Sequence, residues 1–248
     1  MNQGPYSRVL AERYAANDTN FNDTDHELLG AIEKIGVQGK MVLDLGCGSG
    51  RHIDQYLQLG ARHVIGIDAS EAMIENARTR GLDGDKVTLE VASADALPLG
   101  GSSIGLIASN YVLHYLEDSY RGFAEIARVL EPGGSCVAIF NEFDVVPGAE
   151  ELYNTWVDIR LMSEGNQVIV KNLIKSPAAI MLQIKQAGLT VVHRKELEHL
   201  TSTIDEGYPY KALLAKHAMM YVLEKPTGSN KYKGLIKSLD ARVKKAVA

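Results

Sequence analysis

Short apolar runs alternate with amphipathic stretches along this chain. MVLDLG (41–46), HVIGID (63–68) and VTLEVA (87–92) are brief and nearly continuous in apolar character, the pattern of strands buried on both faces of a parallel sheet. Between the second and third lies ASEAMIENAR, where Ser70 and Glu71 mark a helix start and Met73, Ile74 and Ala77 form an apolar stripe. A fourth strand is read in the apolar run just before SNYVLHYL, followed by an amphipathic helix in YRGFAEIARVL that ends at Glu131, Pro132, Gly133 and Gly134, where the chain turns into a fifth strand, CVAIF. SPAAIMLQIKQAG predicts a helix capped by Ser176, with Pro177 at its first position and Gly188 at its end. LTVVHRKEL and AMMYVLEK read as the sixth and seventh strands.

The elements predict an α/β fold, a doubly wound, seven-stranded and mostly parallel sheet with five parallel strands and two more paired antiparallel. Two helices precede it, in YSRVLAERYAAN and NDTDHELLGAIEKIG, as an N-terminal helical lid. An insertion separates strands five and six; there Glu150 to Met162 predicts a helix and QVIVKNLI an extended segment. The expected organisation is one domain over 1–248: lid 1–39, cofactor-binding half 40–141, substrate-covering insertion 142–175, C-terminal half of the sheet 176–225, and a basic helix 226–248. That last helix carries Leu235, Leu239 and Val243 opposite a lysine-rich face. Docking to its own domain is the first reading, a homodimer contact the second and an anionic membrane surface the third.

The candidate chemistry begins at LDLGCGSGRH (43–52), where an apolar strand runs through Asp44 into Gly46, Cys47, Gly48 and Gly50. Glycines there allow tight turning and close approach of backbone to a ligand. A dinucleotide loop reads GxGxxG, whereas this one reads GxGxG and puts Arg51 where the third glycine would stand. About twenty residues beyond the loop the second strand ends in Asp68, the offset of a ribose-binding carboxylate.

These residues resemble motif I and the following acid of the class I S-adenosylmethionine-dependent methyltransferases, of the type that acts on small molecules. The resemblance runs in unbroken order from about Val42 to Asn141. It implies S-adenosylmethionine as cofactor, Asp44 near its ammonium group and the glycine loop beneath its amino-acid part. It further implies that Asp68 lies at the ribose, Met73 at the adenine, and Asp95 and Ala96 at the adenine amino group, with Ala69 also in the cofactor set. Asn110 and Tyr111, after the fourth strand, complete the cofactor set. The Asn/Asp-Pro-Pro-Tyr/Phe motif of many base- and glutamine-methylating enzymes is absent, and Ser109, Asn110, Tyr111 and Val112 stand in its place.

For the reaction itself, His114 is the leading candidate base, because a neutral imidazole can accept a proton from a phenol, an indole or an acidic carbon. Glu142 at the end of the fifth strand is the second, with Asn141 beside it on the substrate side. Tyr14, in an AERYA sequence, and Tyr6 are placed near the site by the resemblance. Tyr153, Trp156 and Arg160, spaced along one face of the expected insertion helix, suit the wall of a flat or cationic substrate. Tyr208 in a long loop borders the same space. Each also has a plainer reading, as core packing for Tyr6, Tyr14 and Trp156 or as surface for Glu142 and Tyr208.

A net charge of −5 over 248 residues gives no general attraction to phosphates, so the expected partner is a small-molecule substrate and not a nucleic acid. No run is long and apolar enough to span a bilayer and no signal peptide is evident, which predicts a cytoplasmic protein. Two cysteines, Cys47 and Cys136, are too few for a disulfide framework or a metal cluster, and no metal is expected. A non-catalytic cofactor-binding regulatory protein is the alternative function, and an NAD-type dehydrogenase the weaker one.

Overall fold

The protein is described by a computed structural model over residues 23–145, 148–163, 166–197, 202–203 and 213–227. The expected first helix with Tyr6 and Tyr14, the loop residue Tyr208 and the C-terminal basic helix lie outside the described residues.

Helix α1 (Asp23–Ile35) leads to β1 (Met41–Leu45), α2 (Ile53–Gln58), β2 (His63–Asp68), α3 (Glu71–Thr79), β3 (Val87–Val91) and β4 (Ile104–Asn110). Then follow α4 (Ser119–Val129), β5 (Leu130–Val145), β6 (Trp156–Ser163), β7 (Asn166–Leu173), α5 (Pro177–Gln186), β8 (Thr190–Glu196), β9 (Ser202–Thr203) and β10 (Leu213–Glu224). The main sheet runs β3-β2-β1-β4-β5-β10-β8. The first five strands in sequence are parallel, and β10 lies antiparallel between β5 and β8. The seven strands expected from the apolar pattern, five of them parallel, are thus present, with β9 as a short addition beside β10.

Two apolar layers hold the sheet. One face packs Leu28 and Ile32 of α1, Ile53 and Tyr56 of α2, and Ile74 and Ala77 of α3 against Val42, Val64, Leu106 and Ile139. The other packs Phe123 and Ile126 of α4 and Ile180 and Ile184 of α5 against Leu43, Ile107, Ala138 and Phe140. The caps read from sequence are made: Ser70 Oγ accepts from Met73 N and Ser176 Oγ from Ala179 N.

Two expectations are corrected. Glu131 to Gly134 do not separate α4 from the fifth strand; they are a bulge within β5, lying between the pairs Ile104↔Leu130 and Leu106↔Ser135. Gly133 N donates to Lys225 O and Lys225 N to Gly134 O, so the end of β10 stitches the bulge to the sheet. The expected helix from Glu150 to Met162 is instead a 3₁₀ turn (Glu150–Leu152) followed by β6, which forms a separate antiparallel hairpin with β7. Trp156 and Arg160 therefore sit in a strand ladder, opposite Leu173 and Ile169, and Tyr153 precedes the strand. The cause is visible in WVDIRLM: Val157, Ile159 and Leu161 alternate with Asp158 and Arg160, and QVIVKNLI offers a matching partner. Period two with β-branched residues overrides the i,i+4 spacing that suggested a helix.

Lys175, just beyond β7, fixes this hairpin to the turn after β4. Its buried Nζ donates to Ser119 Oγ (2.6 Å), Leu116 O (3.2 Å) and Glu117 O (3.4 Å). Burial pulls the ammonium down to about 8 from an ordinary 10.5, partly opposed by the charge of Asp118. Between those values the unfolded chain binds the proton and the folded chain does not, so this site adds stability as pH rises through that window. Wild type should therefore gain stability relative to Lys175→Met between about pH 8 and pH 10.5 and show a constant difference below 8, as read by denaturant unfolding across that range.

Candidate cofactor and active site

The strand order reverses between β1 and β4, and the crevice above their carboxyl ends is where open α/β sheets take ligands. Gly46 N and Cys47 N both donate to Ile67 O, which bends the loop after β1 towards β2. Gly46 has a φ of +74°, and a Cβ there would lie 2.0 Å from Val112 Cγ2, so only glycine allows the loop to pass under the turn that follows β4. Gly48 has a φ of +56°, and a Cβ there would meet nothing within 4 Å. The loop is thus wedged at one glycine and open at the next. Cys47 is buried, its Sγ donating to Gly48 O at 3.6 Å. Burial and the charges of Asp44 and Asp68 push its thiol well up, which leaves it an inert neutral filler.

Three carboxylates surround the loop. Asp44 is buried on β1, in register with Gly66 and Ala108 of the flanking strands. Asp68 closes β2 and accepts from Gly48 N at 3.0 Å and Ser70 N at 2.8 Å; burial raises its carboxyl, against the pull of those two N–H groups. The third, Asp25 of α1, is fully buried and did not stand out in the sequence. It accepts from Arg51 Nη2, lies 2.8 Å from His52 Nε2 and accepts from Asn110 Nδ2 at 3.2 Å. Arg51, the residue that breaks the dinucleotide pattern, is therefore an ion-pair partner of the N-terminal helix. A signal for Asp25 did exist: it lies three and seven residues before Leu28 and Ile32, so it falls on the buried stripe of α1.

Around the crevice, Met73 is buried on α3 and Ala69 is exposed beside Asp68. Asp95 and Ala96 lie in a turn after β3, held from α4: Leu97 N donates to Glu125 Oε2 at 2.7 Å, and Arg128 donates to Leu97 O, Leu99 O and Glu125. Tyr111 carries a φ of +57°, its N–H bound to Ile139 O at 2.7 Å. Burial and then the Asp25 charge push its phenol up to about 12, opposed by a hydrogen bond with Thr24. His114 is buried in a 3₁₀ turn (Leu113–Tyr115), its ring 4.1 Å from that of Tyr115 and edge-on to Tyr111 at 6.0 Å.

The remaining sequence candidates divide. Asn141 is partly buried, two residues beyond the Ile139 that pairs with Asn110, and its Oδ1 is buried without a hydrogen bond. Glu142 is buried, but its carboxylate accepts from Tyr221 Oη and Arg194 Nη2, a cluster in which Arg194 also lies over the Tyr221 ring. Trp156 is 38 % exposed at the start of the hairpin.

The donor set suits S-adenosylmethionine. Among the described residues, the carboxylates of Asp44, Asp68 and Asp25 outnumber the guanidinium of Arg51 beside them, which suits a ligand with sulfonium and ammonium groups better than a pyrophosphate. Ser109 Oγ and Asn110 Oδ1 add buried polar atoms that make no hydrogen bond among the described residues.

Comparison with known proteins agrees. Residues 43–138 match the family model described as a methyltransferase domain. A malonyl-[acyl-carrier protein] O-methyltransferase of Methylococcus capsulatus is 33 % identical over 78 % of this chain and 66 % of its own length. A demethylmenaquinone methyltransferase of Clavibacter sepedonicus is 34 % identical over 45 % of this chain and 44 % of its own. The chain thus spans two thirds or less of these curated relatives. Among solved structures, an S-adenosylmethionine-dependent methyltransferase from Mesorhizobium loti superposes with a TM-score of 0.56 at 22 % identity, over 79 % of this chain and 96 % of that one. The chain belongs to the class I S-adenosylmethionine-dependent methyltransferases, and S-adenosylmethionine is the cofactor that goes with that family.

The wedge at Gly46 gives a direct test. Gly46→Ala should lower stability by about 1–3 kcal/mol, from the left-handed backbone alone, and more if Val112 cannot yield. Denaturant unfolding measures the first effect, and calorimetric titration with S-adenosylmethionine should show binding lost in the variant.

Proposed function

We propose that the protein transfers the methyl group of S-adenosylmethionine to an oxygen, nitrogen or carbon nucleophile of a small, flat or aromatic metabolite. The observation that carries this is the acid-rich frame about an open glycine loop, which fits a cationic nucleoside and disfavours a nicotinamide dinucleotide. When bound, the cofactor supplies an electrophilic methyl with its leaving group already in place.

The chain's own work is then chiefly alignment, an effect able to offset several kcal/mol of barrier. Asp68 holds the ribose hydroxyls, Asp44 and Asn110 the amino-acid end, and Met73 with the Asp95–Ala96 turn the adenine. The brace from Glu125 and Arg128 keeps that turn in place while the ligand enters. On the acceptor side we assign His114 as the base, since both oxygens of Glu142 are engaged by Tyr221 and Arg194. Its ring is held between Tyr111 and Tyr115, and the turn that carries it is bound through Leu116 O to Lys175. A neutral amine acceptor would need no base, whereas a phenol or an indole-type carbon would. Asn141 and the half-exposed Trp156 of the hairpin line the approach, and Tyr6, Tyr14, Arg160 and Tyr208 remain assigned to the same space.

The test is calorimetric titration with S-adenosylmethionine and its demethylated product, followed by a mass-spectrometric screen of phenols, indoles and amines for a methyl-sized gain. Binding with a methylated product supports the reading. Binding without product over a broad panel would favour a regulatory protein, and no binding would overturn the cofactor role. With an acceptor in hand, His114→Ala should cut turnover by about 10²-fold or more while cofactor affinity stays near wild type; undiminished turnover would remove His114 as the base.

A further inference from the structure

Asp25 joins three parts of the chain at one fully buried carboxylate. Its own helix, α1, packs on the sheet through Leu28 and Ile32. Arg51 and His52, which it holds at Nη2 and at Nε2, lie directly after Gly50, where the glycine loop enters α2. Asn110, whose Nδ2 donates to it at 3.2 Å, ends β4 and precedes the strained Tyr111. The neighbouring Thr24 meets the Tyr111 phenol, so α1 grips both residues of that turn.

The bond to Asn110 has a directional consequence. A carboxylate accepts and cannot donate, so it takes the amide NH2 and settles which end of the side chain points elsewhere. The opposite end is the Asn110 oxygen, which is buried and receives no hydrogen bond among the described residues. An acceptor in that position complements a donor group and disfavours an anion. Had the residue at 25 been an amide, either end of Asn110 could face it.

We propose that Asp25 is a positioning residue for the amino-acid end of the cofactor: by holding Arg51, His52 and the Asn110 amide at one point, it sets the exit of the glycine loop against the end of β4 and presents the Asn110 oxygen as an acceptor for an ammonium. The proposal rests on the cofactor reading above. It assigns to a residue that need not touch the ligand the choice between donor and acceptor at the site.

The experiment compares two ligands by calorimetry on the full chain: S-adenosylhomocysteine, which carries the amino-acid end, and 5′-methylthioadenosine, which lacks it. Asp25→Asn should weaken the first about tenfold or more and change the second by less than about twofold, and Asp25→Glu should recover part of the loss. Thermal unfolding of each variant without ligand is recorded alongside. Equal losses for both ligands, or an unchanged affinity for S-adenosylhomocysteine, would overturn the positioning role. Should Asp25→Asn not fold, Asn110→Ala carries the same comparison, with the same selective loss expected and an even loss counting against the proposal. Wild type binding neither ligand would instead refute the cofactor reading, a result distinct from either of the others.

Discussion

The site depends on the absence of one carbon atom. Where the loop leaves β1 it passes so close to the turn after β4 that a Cβ on Gly46 would overlap the side chain of Val112. Those two chain ends are neighbours because the strand order reverses between them, and their proximity brings Asp44 and Asn110 to one crevice. The turn after β4 bears strain on its side as well, since Tyr111 adopts a left-handed backbone that only a few non-glycine residues tolerate. Its N–H bond to Ile139 and its phenol contact with Thr24 offset that cost. One close approach therefore dictates a glycine on one strand's exit and a held tyrosine on the other's.

Electrostatics supply the second condition. A buried carboxylate is tolerable only with a partner and hydrogen bonds, and removing one side of such a pair is far costlier than never having built it. Asp25 has Arg51, His52 and Asn110 around it, and Glu142 has Arg194 and Tyr221. The two clusters differ in use. The first lies at the glycine loop and shapes the ligand crevice, while the second ties β5, β10 and β8 together on the opposite face, beside the stacked rings of Phe140 and Tyr221. Sequence position does not distinguish these cases, because an acid on a helix and an acid in a strand both read as solvated charges until their partners, 26 and 52 residues away, are in place.

Local chemistry explains what was legible. The parallel strands, the α3 stripe and the caps at Ser70 and Ser176 each depend on residues within one turn or one strand, and they could be read directly. The close approach of Asp44, Gly46, Gly48 and Asp68 was legible for the same reason, its spacing being set by a single strand-loop-helix-strand unit. The β6–β7 hairpin was not, because WVDIRLM satisfies helical and alternating patterns together and the deciding partner is the next segment of chain. Lys175 and Arg194 were opaque in a different way. A lysine or arginine in sequence reads as a solvated charge, and only the folded chain shows the carbonyls of 116 and 117 that take Lys175 out of water, or the buried carboxylate of Glu142 that Arg194 reaches from the surface.

The place of β10 bears on how such a molecule is made. It is the latest of the described strands to leave the ribosome, yet it belongs between β5 and β8 and not at the rim. Until it arrives, β5 has an open border from Ser135 to Val145, including the apolar run Cys136 to Phe140, with nothing to bond its free N–H and C=O groups. A nascent chain halted before residue 213 would already carry the whole glycine loop but would expose its stickiest border to chaperones, proteases and other nascent chains. The topology thus makes β10 the keystone of the sheet, because the open border of β5 closes only when this late strand is in place.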